Sequence, residues 1–471
     1  MKENASKNKY LLKNTIVLAI GNFGSKIITF LLVPLYTHVL TTAEYGTIDL
    51  ITILNNVIVP LITLNIQEAI LRYSLDKEIN HDKILSLGII IILFTTILCA
   101  ISYPILKSIN DTNQYAMLLA LYMLSFSCSH IFTSYLRGNE QLVDYSVISI
   151  IQTLIIASLN ILFLTKLRLG IKGYIIAYIV AFIVTVILCF VRGKIYKVYK
   201  NFKIDKELSK EMLKYSTLLI PNSLMWWIMN SLDKVMVTSM IGIEDNGIYA
   251  ISYKLPSAII TFTTIFNQAW LYSAVSEKES EDKDIYTNEV YTALYGSLMT
   301  FATALILILK PFMSIYVGKD FLKAWMYTPP LIIGTVFLTL GSFLSNEYTA
   351  NKDSKGFLKS STTGAITNLI MNYILIPKIG VIGAAIATCI SYIAVFIFRI
   401  FDTRKYFKLS KINRDKCIQL ILLILSAIFV YMNNKYSYIL NTILLIIQIY
   451  LMKNYIIIIA KKIKSKVKEK K

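Results

Sequence analysis

Charged and amide side chains set inside long apolar runs are the residues of this sequence that could do chemistry. Lys26 stands near the middle of the first run, with Asn22 one turn before it. In the second run Asp49, Thr52, Asn56, Thr63 and Gln67 fall on one helical stripe, and Pro60 between them is set to kink it. Asn222, Trp226, Asn230 and Asp233 form a stripe in the seventh run, and Lys254, Ser257, Thr261, Thr264 and Gln268 form one in the eighth. A charge in hydrocarbon is costly enough that it faces water or a partner. Four polar faces therefore predict a wet cavity, with Lys26, Lys254, Asn22, Asn56, Asn230 and Gln268 as its substrate-binding groups. Asp49 and Asp233 are the candidate carriers of a proton or sodium ion, or else counter-charges to a lysine.

Other charges have structural readings beside functional ones. Lys234 and Lys254 lie toward the ends of their runs, where a long side chain can snorkel to the headgroups. Glu68 and Arg72, four apart, could pair along a helix or close a cytoplasmic gate with Arg137 and Glu347, which equally suit interface anchoring. Trp226, Trp227 and Trp270 could stack on sugars or simply pack.

Metal and redox chemistry have no framework here. Three His and five scattered Cys offer neither a CxxC nor an HExxH spacing. Cys99, Cys128, Cys189, Cys389 and Cys417 all sit in apolar runs, so no disulfide, metal or cofactor is expected. Outer loops are short and the long loop from Arg192 to Lys214 is basic, which argues against the acid and base pair of a membrane glycosyltransferase or polymerase.

The elements that must position these residues are transmembrane helices. Hydrophobic residues make up 56% of the 471, charged residues 16%, and mean hydropathy is +0.60, too apolar for a soluble protein. About fourteen runs approach the roughly 20 residues needed to cross a bilayer as helices. Six lie between Thr15 and Val191, six between Tyr215 and Phe398, and a final pair between Cys417 and Ala460. The runs are long and do not alternate, so a membrane barrel is excluded. The first run lacks a small-residue cleavage pattern and is expected to remain as a span.

Most of the 48 Lys and Arg fall on one side if the N-terminus is cytoplasmic, and this orientation places both termini in the cytoplasm of a cell-membrane protein. The net charge of +20 then serves anionic lipid headgroups, contacted by the loops after Arg192 and Arg399 and the tail from Lys461. No aromatic-interleaved basic motif points to nucleic acid.

A repeat organises the runs. Lys13, Glu44 and Gly46 match Lys214, Asp245 and Gly247, while Arg168, Gly170, Gly173 and Ala177 match Lys378, Gly380, Gly383 and Ala387. Six spans per half is an even number, so the halves run parallel about a pseudo-twofold axis along the membrane normal. The predicted fold is all-α and polytopic: residues 1–200 form an N-terminal six-helix bundle, residues 201–410 a second one, and residues 411–471 a helix pair with a basic tail.

The stretch Leu11–Leu50, with Asn14, Gly21, Asn22, Pro34 and the Glu44-Tyr45-Gly46 entry to the second span, resembles the lipid-linked oligosaccharide flippases (Wzx type, polysaccharide biosynthesis proteins). These belong to the multidrug/oligosaccharidyl-lipid/polysaccharide exporter superfamily. Leu169–Tyr178 and Ile379–Thr388 are similar to the family's repeated helix starts. The resemblance implies two bundles around a central cavity that moves a polyprenyl-pyrophosphate-linked glycan from the inner to the outer leaflet by alternating access, for O-antigen, capsule or exopolysaccharide synthesis. It also implies membrane lipids and a polysaccharide polymerase as partners. A multidrug extruder and a lipid II flippase of the same superfamily are the alternatives. Lipid II flippases have cations on the first and eighth helices, where this chain has Lys26 and Lys254 in place of Arg, which keeps a point charge but loses the bidentate fork.

Overall fold

The computed structural model describes residues 23–468, apart from 77, 109–112, 197–201, 277–282, 352, 410–412 and 433–434. Every long element among them is helical, and the protein is an all-α polytopic membrane protein. Its contacts divide it into two compact units, Met1–Trp227 and Ile228–Lys471.

The first unit contains α1 (Phe23–Val39), α2 (Thr42–Ile62), α3 (Ile66–Ser74), α4 (His81–Ser108), α5 (Ala116–Gly138), α6 (Leu142–Asn160, prolonged by a π-helical stretch Ile161–Lys166), α7 (Gly170–Arg192) and the start of α8 (Lys206–Met240). A capping box starts α2: Glu44 N–H donates to Thr41 Oγ1 at 3.2 Å and Thr41 N–H donates to Glu44 Oε2 at 2.9 Å. The second run is not one continuous stripe. Leu64 and Asn65 adopt left-handed φ values of 51° and 54°, so the expected kink at Pro60 becomes a full break between α2 and α3. Backbone groups freed there are taken up locally: Thr63 Oγ1 donates to Val59 O at 2.7 Å, and Asn65 N–H donates to Pro60 O at 2.7 Å.

Ile66, Ile70, Ile84, Leu85, Ile131 and Met212 share one buried cluster in this unit. Met212, with Leu208 and Leu213 beside it, belongs to the first turns of α8. Those turns are thereby packed into the first unit, and the contact boundary falls within α8, after Trp227. Close approach of α3 and α5 requires Gly138, where an added Cβ would lie 3.0 Å from Leu71 O.

The second unit continues from α8 through α9 (Ile243–Ser252), α10 (Lys254–Ser276), α11 (Lys283–Tyr316), α12 (Ala324–Ala350), α13 (Ser354–Ile379), α14 (Val381–Asp402), α15 (Arg414–Phe429) and α16 (Lys435–Lys468). The eighth run is also interrupted, at Tyr253 between α9 and α10. At Gly334 an added Cβ would sit 2.9 Å from Cys389 Cα, which explains how tightly α12 and α14 pack. The C-terminal pair is held together by Gln448 Nε2, which donates to Gln419 O at 2.8 Å, and joined to α11 by Tyr295 Oη, which donates to Lys416 O at 2.9 Å.

The sequence repeat has a geometric counterpart. Gly170 and Gly380 both take positive φ, 53° and 69°, at the starts of α7 and α14. Three residues on, Gly173 and Gly383 each leave no room for a Cβ. Among the described residues nine helical stretches are long and apolar enough to cross a bilayer. Helices α8, α10 and α13 fall short of that apolarity, and these carry Asn222, Asp233, Lys254, Asn368 and Asn372.

Candidate functional site

The strongest polar constellation lies inside the second unit and is built on Asp233. Its side chain, on α8, is fully buried, a location costly for a carboxylate without donors. Oδ2 accepts from Tyr249 Oη at 2.7 Å, from Thr388 Oγ1 at 2.9 Å and from Tyr253 Oη, while Oδ1 accepts from the Lys234 N–H at 2.9 Å. Tyr249 and Tyr253 are one helical turn apart, and the interruption of the eighth run occurs at Tyr253 itself. Their four-residue spacing puts both hydroxyls on one face, toward the same carboxylate oxygen.

A chain of amides leads on from Thr388. Asn368 Nδ2 donates to Thr388 Oγ1 at 3.3 Å, and Asn372 Nδ2 donates to Asn368 Oδ1 at 2.8 Å. Asn230 Oδ1 accepts from Tyr392 Oη at 2.8 Å, and Lys234 Nζ stands 5.0 Å from the Tyr253 ring centroid. A buried carboxylate ringed by hydroxyl and amide oxygens can hold a proton or a hard monovalent cation, since hard cations prefer oxygen ligands. Among the described residues no group of three His, Cys, Asp or Glu could hold a metal ion.

Asp233 is therefore the centre of a buried network, with Asn230 one turn before it on α8 and bonded separately to Tyr392, while the other sequence-predicted residues are spread out. Asp49 is half-buried on α2, Asn56 is exposed there, and Asn56 lines a small crevice with Pro60 and Ser223 of the same unit. Trp227 Nε1 donates to Ile53 O at 2.9 Å, so this indole is held by packing against α2. Lys26 is exposed on α1, and Lys254, half-buried, opens α10 directly after the break. Asn22 and the side chain of Gln268 lie outside the described residues. Glu68 and Arg72 are exposed on α3, and Arg137 stands 5.4 Å from the Tyr145 ring centroid. Glu347 is 2% exposed, near the end of α12.

Two features escape the sequence. The hydroxyls of Tyr249, Tyr253 and Thr388 and the amides of Asn368 and Asn372 are polar residues of ordinary type, and only their convergence on Asp233 marks them. Arg399 looks like the first residue of a basic loop, yet it is fully buried. Its Nη1 donates to Gly341 O at 2.8 Å and its Nε to Ser360 Oγ at 3.1 Å. The neighbouring turn is pinned just beyond the end of α14, where Lys405 Nζ reaches Asp353 Oδ2 at 2.9 Å and Asp402 Oδ2 at 3.1 Å. Lys405 holds the Asp353 carboxyl well below the usual carboxylate range, helped by donation from the Gly356 N–H.

Comparison with known proteins places this fold. A lipid II flippase, MurJ in an inward closed conformation, superposes with a TM-score of 0.69 at 16% identity, covering 95% of this chain and 99% of that one. A probable low-salt glycan biosynthesis flippase of Haloferax volcanii, Agl15, is 20% identical over 391 residues, 81% of each chain. An uncharacterized membrane protein of Methanocaldococcus jannaschii is 27% identical over 260 residues, which span 52% of this chain but only half the length of that relative. The family model described as polysaccharide biosynthesis protein matches residues 11–277, more than half of the sequence, and the chain belongs to that family.

Proposed function

We propose that this protein is a flippase that carries a polyprenyl-pyrophosphate-linked oligosaccharide from the inner to the outer leaflet by alternating access, feeding surface polysaccharide synthesis. The observation that carries the reading is the buried Asp233 network, within a member of the polysaccharide biosynthesis family. A fully buried carboxylate held by hydroxyls from neighbouring helices is a group that an ion-driven transport cycle can use. Binding of a proton or sodium ion would neutralise Asp233 and loosen or tighten its hold on α9, α10 and α14, biasing the second unit between two arrangements.

In this reading Lys26 of the first half, residues 1–200, and Lys254 of the second, residues 201–410, are the pyrophosphate-binding cations, and Asn56 and Asn230 are glycan-binding amides. Both termini are cytoplasmic. Asp49 is the counterpart carboxylate of the first unit, and Glu68, Arg72, Arg137 and Glu347 lie toward the cytoplasmic ends, where a gate would form. A polysaccharide polymerase would take the product.

The deciding experiment follows a fluorescent lipid-linked glycan across proteoliposome membranes and, in parallel, efflux of a cationic dye. Movement of the glycan lipid alone supports the proposal. Dye efflux without glycan movement would make the protein a multidrug extruder.

A further inference from the structure

The second unit carries a cavity of about 360 Å³ that plays no part in the Asp233 network, at the end where α8, α12, α13 and α15 meet their connecting turns. Asp245, Met326, Tyr327, Gly380, Ile382 and Tyr431 line it. In the proposed orientation this end faces outside. Its volume lies within the range of about 300 to 1,000 Å³ typical of small-molecule sites.

The repeat explains why the space is open. In the first unit Glu44 closes the corresponding corner: its side chain is held by the Thr41 capping box, and its Oε1 would lie 2.8 Å from a Cβ on Gly170. In the second unit Asp245 replaces Glu44 and is one methylene shorter. Gly242 caps α9 without a side-chain hydrogen bond, and a Cβ on Gly380 would meet no atom within 4 Å. The corner that a glutamate fills in one half is thus a void with a carboxylate at its edge in the other.

The walls are aromatic and hydrogen-bonded. Tyr431 Oη donates to Met326 O at 2.6 Å, which pins a ring that is 41% exposed. Tyr327 is backed by Tyr249 in a T-shaped contact at 6.3 Å and packs against the buried cluster containing Val237, Leu331 and Val381. We infer that this cavity is a sugar-binding subsite for the glycan of the transported lipid on the exit side, an inference that rests on the flippase reading above. A pyranose offers a C–H face that stacks on a tyrosine ring and hydroxyls that donate to a carboxylate, and fixed walls lower the ordering cost of binding. An organic cation would also favour aromatic rings with a carboxylate. Here, however, Lys310 Nζ already sits 4.3 Å from the Trp325 ring centroid, and Trp325 packs on Tyr431 at 5.7 Å, so a resident positive charge opposes a second one.

The test uses the full-length protein in nanodiscs and the free oligosaccharide released by mild acid from the host's own lipid-linked pool, with tetraphenylphosphonium as the cation probe. Saturation-transfer NMR should reach the sugar ring protons. Tyr431→Ala and Asp245→Asn should each raise the dissociation constant at least tenfold at unchanged thermal stability. Ile382→Trp, which fills the cavity without touching a polar group, should abolish the transfer and guards against a folding defect in the other two. Absence of transfer to the wild-type protein, transfer undiminished in all three variants, or variant-sensitive binding of the cation but not the sugar would each overturn the subsite. Proteoliposomes from the same preparation report glycan-lipid transport independently: intact transport without sugar binding removes only the subsite, whereas a wild-type protein that moves no glycan lipid removes the flippase reading itself.

Discussion

Tyr249 donates its hydroxyl to Asp233 Oδ2 at 2.7 Å, and both side chains are fully buried in the second unit. Hydrogen bonds to a charged group contribute about 1.5 to 3 kcal/mol, and about 1.4 kcal/mol is a factor of ten. If Asp233 is the coupling group, Tyr249→Phe should shift the sodium or proton concentration for half-maximal transport by roughly tenfold, with protein level unchanged. A merely structural tyrosine would lower thermal stability and leave that concentration where it is.

Asp233→Asn keeps an oxygen acceptor for Tyr249 and Thr388 but removes the charge that takes up the ion. Transport driven by an imposed gradient should fall at least tenfold, while exchange without a gradient persists. Identical responses of wild type and variant to proton, sodium and electrical gradients would show that Asp233 does not couple transport.

Lys26→Ala and Lys254→Ala each remove a cation assigned to the pyrophosphate. A charge-assisted contact of about 1.5 to 3 kcal/mol predicts at least about tenfold slower glycan-lipid transport, with Lys26→Arg milder. Normal surface polysaccharide in cells carrying either alanine variant at matched protein levels would rule that lysine out.

The turn between α12 and α13 should depend on pH in a defined direction. Lys405 keeps the Asp353 pKa low, so this contribution to stability is complete above the ordinary carboxylate range, near pH 4, and is lost as pH falls through the lower folded value. Amide exchange in residues 353–356 should be faster in Lys405→Ala than in wild type at pH 7, and this difference should shrink in strong acid. A difference independent of pH would mean that the pair does not hold the turn.

Orientation can be read with single cysteines in a background lacking the five native ones. Lys319 and Lys408 are both exposed in connections between helices. A thiol at 319 should react with an impermeant reagent added to intact cells, and one at 408 should react only after permeabilisation. The reverse pattern would invert the topology and the side on which cargo loads.

Apolar run length alone determined that this chain crosses a membrane many times as helices, because no other structure satisfies the backbone of such runs in lipid. The glycine pairs Gly170 with Gly173 and Gly380 with Gly383 announced the repeat, since a left-handed turn and a tight first helical turn each demand that residue. Asp233 and Asn230 were legible as polar residues on one helical stripe. Spacing along a helix, however, cannot say which side chain from another helix meets them, so Tyr249, Tyr253, Thr388 and Asn368 entered only with tertiary packing. Pro60 announced a bend but not the full break after Ile62, and the break at Tyr253 was silent, because the backbone hydrogen bonds lost there are returned by side chains and neighbouring turns. Arg399 reads as a loop cation until α12 and α13 supply Gly341 O and Ser360 Oγ to receive it. The open corner at Asp245 goes with Asp in place of Glu44 and Gly242 in place of Thr41, differences visible in the letters whose consequence is a volume that only the folded unit contains.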